Sequence, residues 1–353
     1  MRQSQVITEK KARQSAFIEN SFGKDILRYL ADDTVTEIYV NDDGYLRLDT
    51  ITGRKNTNIQ LPDNMIKSIC ESISGYNDQI ISEDKPLLGV ELDTLYIRAQ
   101  LMYPPVVKKP VFFLRKKPSI IFPLEKYLED KVLSQTYYDC IIQLIKERKN
   151  VIVIGATGSG KTTFLNAVLK KLAEINGTHR LVILEDTPEL QTSSDDVQHM
   201  LTSGNKETKI TLQDLVFVSM RLSPDRIMVG EVRDSSAYDV LKAWNTGHAG
   251  GFCSLHADST VDAFSRIELL VRESPQASDI ETIKSLVGAS VDAIISIQKQ
   301  VTETGTFRKV DDIILVDHYD SEHHTYIYHH VKENHYETDF EKGKEQLLQR
   351  KVL

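Results

Sequence analysis

The sequence predicts an α/β chain, an N-terminal α+β domain followed by a domain with a mostly parallel central sheet flanked by helices. Three observations lead there. An apolar run at 151–154, the glycine-rich GATGSGKTT at 155–163, and Phe164, Leu165, Val168, Leu169 and Leu172 at helical spacing give strand, loop and helix in succession. Strand-like runs at 181–184, 226–229, 252–255 and 293–297 then alternate with helical segments such as 235–244. Before residue 118 the runs are instead separated by turn residues, as in hairpins.

In chain order, residues 1–20 are polar, mildly basic and without a clear period, and read as a flexible lead-in. The N-terminal α+β domain spans 21–117. Within it 22–30 reads as a helix, and 37–40 and 45–48 as strands joined across Asn41, Asp42, Asp43 and Gly44, residues that favour a tight turn. Asp63 is placed to cap a helix whose apolar positions Met65, Ile66, Ile69, Cys70 and Ile73 share one face. Strand-like runs follow at 95–102 and 111–115. Residues 118–133 carry Pro118 and Pro123 and read as a linker with a short helix. Ser134 then caps a helix through Tyr138, Ile141, Ile142 and Ile145, opening the second domain at 134–316, which closes with a hairpin across Gly305. The tail, 317–353, holds six of the ten histidines without cysteine or carboxylate at ligand spacing, and reads as a solvated strand and helix rather than a metal site.

Composition bounds the function. A chain of 353 residues suits two domains, and 41% hydrophobic with 27% charged residues is globular. No apolar run approaches the roughly twenty residues of a membrane span, and the N-terminus lacks an apolar secretory segment, so a cytoplasmic location is expected. Cys70, Cys140 and Cys253 are scattered and odd in number, which suits reduced buried thiols. The net charge of -8 disfavours a nucleic-acid coat and leaves direct nucleic-acid binding open.

Residues Gly155, Ala156, Thr157, Gly158, Ser159, Gly160, Lys161, Thr162 and Thr163 match a P-loop throughout. Such a loop turns backbone N–H groups toward a triphosphate, its lysine reaches the outer phosphates and its hydroxyl faces Mg²⁺, so ATP and Mg²⁺ are the expected cofactors. Hydrolysis also needs a carboxylate to activate water and positive charge on the transferring phosphoryl group. Glu231 ends the strand 226–229 and is the candidate for water activation, with Arg233 counted among the nucleotide contacts. A plain Walker B strand usually has aspartate where this chain has Gly230. Metal support is therefore expected from Thr162 with Glu185, Asp186 and Glu231, and Glu185 and Glu189 are kept as further catalytic candidates. His256, in GHAGGFCSLHA, is placed at a strand end to sense or relay the γ-phosphate.

The P-loop, LEDTPEL, RLSPDRIMVGEVR and GHAGGFCSLHA, in this order, resemble the Walker A, Asp box, Walker B and His box of the secretion ATPase superfamily of type II and type IV secretion and type IV pili. LKAWNTGHAGG from Leu241, RKKPSIIFPLEKYLE from Arg115 and VTEIYVNDDGYL from Val35 are most similar to the TrbB-type conjugal-transfer ATPases. The resemblance covers roughly residues 20–316 and implies a homohexameric ring with an N-terminal domain capping nucleotide held by a RecA-like domain. It also implies inner-membrane partners in a type IV secretion system and a peripheral place at the cytoplasmic face. By the same resemblance Arg98, in LYIRAQ, and Arg115, in FFLRKK, match arginines that reach the phosphates. Ala249 departs from the proline frequent in relatives, which should loosen the His-box loop. A type II secretion or pilus motor, and a nucleotide-sensing scaffold, are the competing readings; three scattered cysteines cannot build the four-cysteine zinc module usual in a type II secretion relative.

Overall fold

The structure, a computed structural model, describes residues 2–76, 79–117, 121–204, 209–302 and 305–332. The chain divides into two compact units, residues 1–120 with 302–306 and residues 121–301 with 307–353.

In the first unit α1 (Arg2–Ala31) precedes β1 (Val35–Val40), β2 (Tyr45–Thr50) and β3 (Gly53–Gln60). Then come α2 (Asp63–Tyr76), β4 (Leu87–Leu92), β5 (Ile97–Met102) and β6 (Val111–Lys116). The strands form one antiparallel sheet in the order β3-β2-β1-β6-β5-β4. The expected turn is present, with Gly44 at φ 75° and its N–H donating to Asn41 O at 2.9 Å. The stretch expected as a flexible lead-in is instead the start of α1, and Ile18 is buried with Phe22 and Ile26. The helix breaks at Gly23 (φ 69°, ψ 174°), where an added Cβ would lie 3.0 Å from Met65 Cε of α2, so the kink lets the two helices approach. Both helices lie against Ile38, Leu46, Ala99, Leu101, Phe112 and Leu114 of the sheet, forming one core on one sheet face.

The second unit opens with α3 (Leu124–Glu129) and α4 (Gln135–Lys146), and Ser134 caps α4 by accepting from Tyr137 N–H. There follow β7 (Val151–Ile154), α5 (Lys161–Asn176), β8 (Leu181–Glu185), β9 (Val197–Leu201), the two-residue strands β10 (Ser203–Gly204) and β11 (Lys209–Ile210), and α6 (Leu212–Ser219). The chain continues through β12 (Arg226–Val229), α7 (Ala237–Asn245), β13 (Phe252–Leu255), α8 (Asp262–Arg272) and α9 (Ile280–Ser290). It ends with β14 (Ala293–Thr302), β15 (Gly305–Asp320) and β16 (Thr325–His330). The eight-stranded sheet runs β16-β15-β14-β7-β13-β12-β8-β9, parallel from β14 to β9.

Alternate residues of each central strand enter two cores. Val151, Val153, Leu181 and Ile183 pack with α4 and α5, whereas Ile152, Ile154, Val182 and Leu184 pack with α6 to α9. In the second core Trp244 of α7 is buried, donates to Ile227 O at 3.3 Å, and lies so close to Gly251 that a Cβ there would come 2.1 Å from its indole nitrogen. At the amino end of β12, fully buried Arg226 donates to Ile145 O (2.7 Å), Gly250 O (3.1 Å), Asn176 Oδ1 (3.1 Å) and His179 Nδ1 (3.1 Å). Burial lowers its pKa to about 10.

The histidine-rich stretch is more ordered into the sheet than expected. β15 runs on to Asp320, and β16 pairs with it so that Tyr326 stacks on Phe264 of α8 and Tyr328 meets the same ring at a tilt. Four histidines sit beside carboxylates: His318 by Asp317, His323 by Asp320, His324 by Glu281 and His330 by Asp312. No group of three or more metal-ligating side chains gathers among the described residues. The remainder of the tail, from residue 333, lies outside the described residues. No described helix is long and apolar enough to cross a membrane.

Candidate nucleotide site

The four motifs meet because their strands are neighbours. The P-loop follows β7, His256 follows β13, Glu231 lies two residues beyond β12, and Glu185 ends β8, four adjacent parallel strands. Their carboxyl ends therefore line one edge of the sheet, where open α/β sheets bind ligands.

The loop needs its glycines. Gly155, Gly158 and Gly160 have φ of 151°, 73° and 98°, and a Cβ on Gly155 would come 2.2 Å from Ile297 O of β14. Ala156, Thr157 and Gly158 arch outward, Ser159 is buried, and Thr162 and Thr163 occupy the first turn of α5. Lys161 is buried with its ammonium donating to Gly155 O (2.7 Å) and Ala156 O (3.3 Å), and 3.3 Å from His256 Nδ1. An ammonium has no lone pair, so Nδ1 can only accept in that contact, and Nε2 faces the carboxylate of Glu231. That nitrogen lies 2.8 Å from Glu231 Oε1. Burial and then the neighbouring Lys161 charge hold the His256 pKa below its ordinary 6.5, with Glu231 opposing. Burial likewise lowers Lys161, which Glu231 partly offsets.

Arg233 donates to Glu231 Oε2 and stands 3.9 Å from Asp186. Lys161, His256, Glu231, Arg233 and Asp186 thus form one chain of contacts. Asp186 also accepts from Thr202 Oγ1 at 2.9 Å. Glu185 is buried; its Oε1 accepts from Glu189 N–H (2.9 Å) and Leu190 N–H (2.8 Å), while Oε2 is buried without a hydrogen bond. A Cβ on Gly230 would lie 3.1 Å from Glu185 Cγ, so the side chain of the neighbouring strand occupies the space beside this glycine. Glu189 is placed through its backbone, its carbonyl accepting from Asn166 Nδ2 at 3.0 Å.

Asn166 was not singled out in the sequence. It stands one helical turn after Thr162 and also accepts from Gln191 N–H at 2.8 Å, tying the LEDTPEL loop to the P-loop helix. An asparagine among apolar helix positions is its sequence signal.

Arg98 and Arg115 belong to the first unit. They are directly opposite each other on β5 and β6, flanked by Glu91 opposite Arg98 and Glu37 opposite Arg115. The ion pairs are loose, at 3.9 Å and 3.8 Å. Like charges in facing cross-strand positions oppose folding, so two exposed arginines side by side form a fork suited to an anion.

Residues 106–349 match the family described as Type II/IV secretion system protein. The chain belongs to that family. It is 33% identical over 319 residues to the conjugal transfer protein TrbB of Rhizobium radiobacter, covering 88% of this chain and 94% of that one. It is 28% identical over 314 residues to the type IV secretion system protein VirB11 of Bartonella henselae, covering 78% and 87%. These relatives agree with the TrbB-type secretion ATPase resemblance carried by the motifs, and the family match runs past the residue-316 limit drawn from them. Among solved structures the fold is similar to the ATPase DotB of Legionella pneumophila, with a TM-score of 0.61 and 18% identity over 84% of this chain and 80% of that one. It is also similar to the pilus retraction motor PilT with bound ADP, with a TM-score of 0.58 and 19% identity over 80% of each chain. The family fold is thus the predicted α/β one, an N-terminal α+β unit followed by a RecA-like unit.

Proposed function

We propose that the chain hydrolyses ATP, assembles as a homohexamer, and powers assembly of, or substrate transfer through, a conjugative type IV secretion system. The observation that carries the enzymatic part is the contact chain from Lys161 through His256 to Glu231 at the carboxyl edge of the sheet. Lys161 binds the outer phosphates, Glu231 orients and deprotonates the attacking water, and His256 couples the two, so occupancy of the phosphate site is felt at the base. Arg98 and Arg115 supply positive charge to the transferring phosphoryl group.

Glu185, Asp186 and Glu231 do not gather into a preformed three-carboxylate cluster, but Mg²⁺ usually takes only one or two protein carboxylates beside phosphate oxygens and water. Glu185 keeps one buried oxygen without a hydrogen bond, and Asn166 ties its loop to the helix carrying Thr162. Thr162 with one or two of Glu185, Asp186 and Glu231 would hold Mg²⁺, which when bound neutralises phosphate charge. The names of the TrbB and VirB11 relatives support the conjugative and type IV assignment. Inner-membrane components of that system are the proposed partners, met peripherally from the cytoplasm.

Mass measurement with and without ATP and Mg²⁺, coupled to phosphate release, tests ring and enzyme together. Glu231→Gln should retain ATP binding while turnover falls by about a hundredfold or more. Near-normal turnover removes Glu231 as the base. ATP binding without any phosphate release by the wild-type chain would favour the nucleotide-sensing scaffold.

A further inference from the structure

The strand pair β14 and β15 is longer than the sheet requires. β14 pairs with β7 from Ala293 opposite Val151 to Ser296 opposite Ile154, and its remaining residues continue past the strand end beside the P-loop. Two cations of this extension meet the loop. Lys299 Nζ lies 3.8 Å from where a Cβ on Gly158 would stand. From β15, Arg308 sets its Cδ 3.2 Å from the corresponding point on Gly160 and donates from Nη2 to Gly158 O at 3.4 Å.

Arg308 is under-partnered. It is half-buried, and burial lowers its pKa, with Tyr127 opposing. Among the described residues no carboxylate pairs with it, and its one hydrogen bond is a long contact to a carbonyl. Arg226 by contrast spends its donors on four acceptors, and Arg233 is paired with Glu231. A guanidinium has five donors, and a partly desolvated one is normally matched by an anion.

The strand order says which end of a nucleotide it faces. Lys161, His256 and Glu231 mark the outer phosphates on the side of β13 and β12, whereas β14 and β15 flank β7 on the opposite side. We infer that Arg308, with Lys299 also set against the loop, is a nucleotide-contacting residue that holds the α-phosphate end of the bound nucleotide. The inference rests on the nucleotide site proposed above and adds a second, cationic wall to it. Contact with the α-phosphate is made alike in the ground state and the transition state, so Arg308 contributes to affinity rather than to the chemical step.

The test is calorimetric binding of ADP and of pyrophosphate to the full chain, with steady-state ATP turnover. Arg308→Ala should weaken ADP by about tenfold, the lower range for a hydrogen bond to a charged group. In ATP turnover its KM should rise by a larger factor than its kcat falls, the pattern of uniform binding. Pyrophosphate, which fills only the outer subsites, should bind Arg308→Ala as it binds wild type. Arg308→Lys keeps the charge and should retain most of the ADP affinity, while Arg308→Gln keeps a donor for Gly158 O and should lose it. Unchanged ADP affinity in Arg308→Gln overturns the inference, and so does equal loss of ADP and pyrophosphate, which would make Arg308 a brace for the loop. A wild-type chain that binds ADP but releases no phosphate from ATP would sink the proposed hydrolysis and leave the binding result standing.

Discussion

The arginine pair on β5 and β6 separates function from stability in one experiment. Facing cross-strand residues have Cβ atoms about 5 Å apart, and like charges there cost roughly 0.2–1 kcal/mol. Each guanidinium is about half exposed and has one carboxylate, Glu91 at 3.9 Å or Glu37 at 3.8 Å. Such an exposed pair returns about 0–1 kcal/mol. The two effects nearly cancel, so Arg98→Ala or Arg115→Ala should change unfolding free energy by less than about 1 kcal/mol, a melting shift of at most about 4 °C. If the fork stabilises charge developing on the γ-phosphate, each substitution should lower kcat by at least about tenfold, some 1.4 kcal/mol of transition-state stabilisation, with little change in KM. Arg115→Lys, which keeps charge but loses the planar fork, should also be impaired. The assay is phosphate release against ATP concentration alongside a thermal melt. Normal kcat in both alanine variants, with the melt unchanged, would refute the role and leave two arginines whose proximity has no catalytic reason.

Lys161→Ala should abolish tight ATP binding in a calorimetric titration, because it removes the point charge on the outer phosphates, and retained affinity would remove the P-loop assignment. Arg226→Met strips the donors from Ile145 O, Gly250 O, Asn176 Oδ1 and His179 Nδ1. It should cost about 3 kcal/mol or more, since buried acceptors are left unpaired, and a loss under about 1 kcal/mol in denaturant unfolding would contradict the packing described. By NMR, His256 should titrate below 6.5, and its midpoint should rise when Lys161 is replaced by alanine. A lowered folded pKa means the unfolded chain takes up the proton more readily. Stability from this group is therefore unaffected well above 6.5 and falls as pH drops below it, and a midpoint at or above 6.5 would be the contrary result.

The motifs were legible where chemistry and packing coincide. β7, β8, β12 and β13 are short apolar runs buried on both faces, and each leads into its motif with little intervening chain. The less legible elements are written in polar residues. β3, GRKNTNIQ, is a sheet-edge strand with no apolar alternation, and β9, VQHML, is another edge. The first part of α1 reads as a lead-in because the buried stripe among its described side chains, Ile18, Phe22 and Ile26, is narrow and Gly23 interrupts it. The identity of the site residues could be read, but not their wiring. That Glu185 fills the space beside Gly230, or that Arg226 fastens two helix ends and the His-box approach, depends on strand order, and strand order is not local in sequence.

Trp244 is the chain's only tryptophan, and the indole packed over Gly251 belongs wholly to the second unit. Its emission is consequently an optical label that needs no engineering, blue-shifted while the α7 face stays dry and red-shifting when that core opens. The first unit is dark in this channel but contributes to far-ultraviolet circular dichroism. Superposed fluorescence and dichroism transitions would show both units melting as one, whereas a dichroism change that precedes the tryptophan shift would assign the earlier event to the first unit. The same label allows each site variant to be sorted, before any kinetics, into those that disturb the sheet beneath the motifs and those that leave it intact.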